Sequence, residues 1–233
     1  MGAPVLVSEP QESPRALVTN RGLHRREIEL TAGPFDVRRF TGDHRRCLGL
    51  VLADGLITAQ LEAGRGQVAW LLGGGDLIRP WDMAHVRLAQ ASEWRALTDA
   101  RLVRIERGHD PDPAAIERVL SWASRTSHWL LATSLILSLP SIAERLLLLF
   151  ALYGERWGKV TPEGVRVELP LTHQLLGKLC GARRSTVTLA INSLEEDGFI
   201  TRASRDVWLL HQYPGVSGPD RYGVQYELPL GGR

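Results

Sequence analysis

Pro170-Leu-Thr-His-Gln-Leu-Leu-Gly-Lys-Leu-Cys-Gly-Ala-Arg-Arg-Ser-Thr-Val187, followed by Leu194-Glu-Glu-Asp-Gly-Phe-Ile200, is the stretch that decides the fold. Thr172-His-Gln174 opens a helix whose apolar face is Leu175, Leu176 and Leu179. Gly181 then supplies a tight turn, because glycine enters the left-handed region at little cost. A second helix follows, with Val187, Ala190, Ile191 and Leu194 on its buried side. Two short helices joined through a glycine form a helix-turn-helix. The other face of the second helix presents Arg184, Ser185, Thr188, Leu189 and Asn192, with Thr186 alongside. These are groove-reading side chains: arginine pairs two guanine acceptors, asparagine pairs adenine, and threonine or leucine meets a thymine methyl.

Charge along the same stretch points the same way. From Leu171 to Leu194 stand three cations, Lys178, Arg183 and Arg184, and no Asp or Glu. Acids return at once as Glu195-Glu-Asp197. A duplex backbone repels acids and attracts these cations, and the N–H groups at a helix start favour phosphate. Downstream, Phe199–Arg202 and Asp206–Leu210 read as strands joined by a turn at Ala203–Arg205. This hairpin is a wing, with Arg202 and Arg205 placed to reach phosphate.

Working upstream, residues 157–169 fit a hairpin and Ile142–Tyr153 a helix, after a stop at Pro140. Asp110-Pro-Asp-Pro113 is a helix start, with Asp112 as N-cap and Pro113 in the first helical position. From there to Leu139 no glycine or proline intervenes. Ile116, Leu120, Ala123, Ser127, Leu130, Ser134 and Leu137 recur every seven residues, the pattern of a helix paired with a second copy of itself. Trp122, Trp129 and Ile136 form a second stripe, assigned to the chain's own β domain. Residues 21–107 are short apolar runs parted by glycines: Cys47–Leu52, Leu56–Leu61, Gln67–Leu72 and Ala100–Glu106. Such spacing predicts a sandwich or barrel. Gly73-Gly-Gly75 lacks the Gly-Lys-Ser/Thr of a phosphate loop and reads as a β-turn.

The expected class is α+β: an N-terminal β-roll of jelly-roll or cupin type, a long dimerisation helix and a C-terminal winged helix-turn-helix. The expected divisions are an arm at 1–20, a sensor at 21–109, the helix at 110–139, the winged unit at 140–213 and a tail at 214–233. Net charge is only +2, so any basic surface is local. Two cysteines without a CxxC exclude a disulfide framework and a cysteine-bound cluster built from one chain. The N-terminal sequence lacks a signal-peptide pattern, and the longest apolar run, Trp129–Leu139, is too short to span a bilayer. A cytoplasmic protein with no membrane partner is therefore expected.

The quoted stretch closely resembles the C-terminal domain of the Crp/Fnr superfamily of bacterial regulators. Ile142-Ala-Glu-Arg-Leu-Leu-Leu-Leu149 is similar to the helix after the dimer helix in that family. Gly55 and Leu71-Leu-Gly-Gly-Gly-Asp-Leu-Ile78 resemble the turns of its cyclic-nucleotide-binding-like β-roll. The resemblance covers roughly residues 25–211 and is most specific at the C-terminal end. It implies a dimer on an inverted repeat of double-stranded DNA, RNA polymerase as a further partner, and a small-molecule effector. It also implies phosphate contacts from Thr172 and Gln174 and base reading by Arg184.

The departures are informative. Where the family's common recognition helix has glutamate and a second arginine, this chain has Ser185 and Leu189. The family operator therefore does not carry over. Cyclic-nucleotide binders have a Gly-Glu pair and then Arg-Ser/Thr-Ala. Here the matching segments read Gly75-Asp-Leu-Ile-Arg-Pro-Trp81 and Gln90-Ala-Ser-Glu-Trp94. No arginine precedes Ser92 and Glu93 repels phosphate, so the effector is expected to be something other than cyclic AMP. Arg79, Trp81 and His85 are the candidate effector residues, with a structural bend as their competing use. No cofactor and no metal are expected; haem would have to draw on His85 or Cys47, and a lone histidine is far more often structural. Two other functions compete: a metal enzyme on a cupin-like roll, and a winged helix that binds protein. The seven histidines are scattered, with no HxH pair within residues 21–107.

Overall fold

A computed structural model describes residues 23–42, 45–63, 66–81, 91–108 and 113–211. The chain divides into two compact units, residues 1–64 with 70–128 and residues 65–69 with 129–233.

The first unit is built on eight strands: β1 Leu23–Leu30, β2 Gly33–Phe35, β3 Cys47–Asp54, β4 Ile57–Ala63, β5 Gly66–Leu72, β6 Leu77–Ile78, β7 Ala91–Ala96 and β8 Ala100–Arg107. A single helical turn, α1 (Arg38–Thr41), follows β2. They form two four-stranded sheets ordered β1-β8-β3-β6 and β2-β7-β4-β5. The pairings resolved between strands are antiparallel. Alternation along the strands explains the core. Leu50 and Leu52 of β3 and Leu102 of β8 point into one cluster with Ile57, Ala59, Trp94 and Ala96 from the other sheet. This is the expected β-roll. Gly55 makes the turn between β3 and β4 at φ 87, and a Cβ there would lie 2.5 Å from the Asp99 carbonyl. The Gly73–Asp76 turn closes through the Asp76 N–H on the Gly73 carbonyl, as its glycines predict.

The long helix α2 runs Pro113–Leu137, about 37 Å at 1.5 Å per residue. It ends two residues short of the expected Leu139, ahead of Pro140, whose ring disfavours the helical region in the residue before it. Ala115 and Trp122 pack with Leu23, Val51, Ala53, Leu77, Val103 and Ile105 in a second cluster of the first unit. Residues Asp110–Asp112, including the N-cap assigned to Asp112, lie outside the described residues, as do the 1–20 arm and the 214–233 tail.

The apolar seam of α2 differs from the expected stripe. Ile116, Leu120, Ser127 and Ser134 are exposed, but Ala123, Leu130 and Leu137 are half-buried, and Ala123 packs against the β cluster. The exposed leucines farther along are Leu131 and Leu135, at 63% and 65%. The reason is geometric. Seven residues of a straight helix fall about 20° short of two full turns. A strict seven-residue stripe starting at Ile116 thus rotates into the buried side by Leu137, and Leu131 and Leu135 take its place. Of the second stripe, Trp122 and Ile136 are buried and Trp129 is half-buried.

The second unit has α3 Ile142–Trp157, β9 Lys159–Thr161, β10 Gly164–Glu168, α4 His173–Cys180, α5 Arg184–Glu196, β11 Ile200–Arg202 and β12 Val207–Leu210. Its sheet has the order β11-β12-β10-β9. Ser141 caps α3 by accepting the Glu144 N–H. Trp208 of β12 is fully buried, its ring centroid 4.7 Å from that of Phe150 on α3. Among the described residues no helix is long and apolar enough to cross a membrane.

Thr126 ties α2 into the first unit. Its Oγ1 accepts the Leu77 N–H at 2.9 Å and lies 3.4 Å from Oδ1 of the fully buried Asp76. Asp76 Oδ2 in turn accepts the Gly73 N–H. Removing the hydroxyl leaves a buried N–H without that acceptor, so Thr126→Val should destabilise the chain by about 1–3 kcal/mol in denaturant unfolding. Thr126→Ser should restore most of the loss. An unchanged midpoint for Thr126→Val would contradict this role.

Candidate nucleic-acid interface

The interface is carried by α4, α5 and the wing. Thr172 Oγ1 accepts the Leu175 N–H at 3.2 Å and so starts α4 as its N-cap. Leu176 and Leu179 turn inward and are buried, while Leu175, expected on the same face, is half-buried. Gly181 ends the helix at φ 70, the left-handed conformation its position demands. Arg183 occupies the N-cap position of α5 without a side-chain cap.

Helix α5 is two-sided. Val187, Ile191 and Leu194 are buried at spacings of four and three, whereas Ala190 is half-buried. Arg183, Arg184, Ser185, Thr186, Leu189 and Asn192 are exposed, Leu189 at 71%. Thr172 and Gln174 are also exposed, and Lys178 is half-buried. Thr188, expected like Leu189 to meet a thymine methyl, has its hydroxyl engaged within the fold. That hydroxyl donates to the Arg184 carbonyl at 3.0 Å and lies 2.9 Å from His173 Nδ1, so only its methyl remains to meet a groove.

On the wing, the Arg202 guanidinium donates to the Arg205 carbonyl at 2.7 Å and lies over the Trp208 ring, 5.0 Å from the centroid. The Arg202 backbone N–H donates to Glu195 Oε1 at 3.0 Å. Arg202 thus shapes the turn, and both it and Arg205 are exposed there.

Two residues escaped the sequence reading. His173 was quoted only as part of the helix start, yet its ring joins α4 to α5. Arg145 is a single cation inside the apolar run Ile142–Leu152, an isolation that is itself a signal. Its Nε donates to the Leu139 carbonyl at 2.6 Å and its Nη1 to the Cys180 carbonyl at 3.1 Å. One guanidinium therefore holds both the exit of the long helix and the end of α4.

Of the three effector residues, Arg79 and Trp81 are described and lie beside each other. Arg79 is exposed, with its guanidinium 5.6 Å from the centroid of the Trp81 ring, and His85 lies outside the described residues. A groove in the first unit is lined by Pro34, Phe35, Asp36, Arg38, Glu93 and Trp94. Within it, hydrogen bonds from Arg38 hold the Asp36 carboxyl below its ordinary pKa. Glu93, read as repelling phosphate, pairs with Arg95 at 3.4 Å. Burial pushes the Cys47 thiol up from its ordinary pKa. Among the described residues no three His, Cys, Asp or Glu side chains group as a metal site.

Residues 141–214 match the Crp-like helix-turn-helix domain. No curated protein sequence matches the chain. Its fold is similar to that of a Crp/Fnr-family transcriptional regulator of Thermus thermophilus, at 19% identity and a TM-score of 0.56, covering 79% of this chain and 93% of that one. A cyclic nucleotide-binding domain containing protein of Listeria monocytogenes gives 9% identity and a TM-score of 0.61, covering 82% and 90%. The c-di-GMP responsive global regulator of Xanthomonas campestris gives 17% and 0.55, covering 82% and 95%. At these identities the likeness is one of fold.

Arg145→Met should strand two carbonyls and cost about 1–3 kcal/mol in thermal or denaturant unfolding. Arg145→Lys, with a point charge where a fork is needed, should recover only part of the loss. Wild-type stability in Arg145→Met would show that the two hydrogen bonds do not hold the end of α4 and the segment after α2.

Proposed function

We propose that this chain, which carries a Crp-like helix-turn-helix domain at residues 141–214 on the fold of the Crp/Fnr regulators, is a sequence-specific DNA-binding transcription regulator. It works as a homodimer on an inverted-repeat operator. The observation that carries this reading is the two-sidedness of α5, whose apolar side is buried while Arg184, Ser185, Leu189 and Asn192 stand exposed. A stretch from Leu171 to Leu194 with three cations and no acid, beside groove-reading side chains, suits a duplex better than an enzyme site.

Dimerisation uses the outward face of α2. Ile116, Leu120, Leu131 and Leu135 are exposed on one side of a long helix, a cost in water that a second copy would remove. A two-fold dimer then sets both α5 helices in successive major grooves. The effector is a small molecule other than cyclic AMP, given the absence of arginine before Ser92 and the presence of Glu93.

A randomised-site selection tests the reading. The wild type should select an inverted repeat, and Arg184→Ala should lose about 1–3 kcal/mol per half-site and relax one position in each. The position facing Leu189 should accept thymine, whose methyl it can cover. Arg205→Ala should weaken all sequences alike and lower the salt slope by about 1 per half-site. Selection of no sequence, or a sequence shift from Arg205→Ala with none from Arg184→Ala, would overturn these roles.

A further inference from the structure

His173 is half-buried at the start of α4, with its Nδ1 2.9 Å from Thr188 Oγ1 on α5. The Thr188 hydroxyl has one proton, and it goes to the Arg184 carbonyl at 3.0 Å. Thr188 therefore accepts from the ring, which sets the imidazole proton on Nδ1. Nε2 is left as a lone pair in the neutral ring and as a second N–H donor in the imidazolium. The charged groups facing the ring are Arg202 from β11 and Arg184 and Glu195 from α5. Burial first, then Arg202 and Arg184, push its pKa below the ordinary histidine value, and Glu195 opposes them. Glu195 is also engaged by the Arg202 backbone N–H.

Both arginines that repel a proton on His173 are exposed, Arg184 on the outward face of α5 and Arg202 at the wing turn. A phosphate placed beside them would reverse the sign of the local field. We propose that His173 is a further contact to the DNA phosphate backbone, made as an imidazolium, with Nδ1–H kept on Thr188 and Nε2–H donated to a phosphate oxygen. The inference rests on the DNA-binding reading above. The proton comes from solvent, so each bound protomer takes one up. The ring has a higher pKa in the complex than in the free chain, so the complex binds more protons and affinity falls as pH rises. The ring also positions Thr188, fixing which side of that residue meets a base.

The test uses the full chain and a fluorescein-labelled duplex of mixed sequence, because a phosphate contact needs no operator. Anisotropy titrations run at fixed salt between about pH 8 and pH 6, the window in which histidine titrates. Wild-type affinity should rise as pH falls, by up to about tenfold per unit for each engaged half-site. Calorimetry in buffers of different ionisation enthalpy should read the same proton uptake. His173→Gln should show a flat profile, and at the acid end a salt slope lower by about 1 per half-site. His173→Arg, charged throughout, should also be flat but stay near the wild-type acid affinity. His211→Gln is the control, since that ring is engaged by Thr201 and the Glu163 carbonyl at the far end of the wing sheet; it should follow the wild type. A wild-type pH profile retained in His173→Gln, or binding without proton uptake, would overturn the proposal while leaving DNA binding intact. Absence of duplex binding at every pH would overturn the DNA-binding reading itself.

Discussion

The rest of the structure depends on one constraint: α5 can be buried in only one rotation. Val187, Ile191 and Leu194 share a face and are almost fully buried. Each contributes about 1.5–3 kcal/mol on leaving water. Turning the helix over would expose all three and bury Ser185 and Asn192, with Leu189 the single apolar residue to gain. The polar face is thus directed outward by what its opposite face needs. Hydrophobic burial, rather than attraction for a ligand, aims the reading side chains.

That rotation is held from several sides. Gly181 sets the angle between α4 and α5, and Arg145 fixes the α4 end from below through Cys180. His173 and Thr188 tie the start of α4 to the middle of the first two turns of α5. On the wing, Arg202 lies across Trp208, which packs on Phe150 of α3. The same α3 carries Arg145, whose other hydrogen bond goes to Leu139 just past α2. A displacement at the end of α2 would therefore meet one guanidinium shared with the reading motif.

Legibility in the sequence tracked how local each cause was. The helix-turn-helix was readable because its periodicity, its glycine and its cap lie within a few residues of one another. The β-roll was readable where strands alternate apolar and polar residues, as in Ala100–Glu106. Strand β1, Leu23-His-Arg-Arg-Glu-Ile-Glu-Leu30, was not singled out, because it is an edge strand with mostly exposed charged residues. Strand β6 is only two residues long and is defined by pairing with β3, a partner distant in sequence. Leu131 and Leu135, the exposed leucines late in α2, were not legible because a seven-residue count ignores helical drift over twenty residues. The partners of Arg202, the Arg205 carbonyl and Trp208, were not legible because the fold of the hairpin, rather than spacing, brings them to it. His173 went unseen for the same reason, since Thr188 meets it only across the turn.

The proposed function comes down to a single claim: two copies of the α5 face, related by a two-fold along α2, meet one side of a duplex. Hydroxyl-radical footprinting of the full chain on a selected duplex tests it most directly. The account predicts two equivalent protected patches on one face of the DNA, about 34 Å apart, one helical turn. A single patch, protection without two-fold symmetry, or patches at another spacing would contradict it.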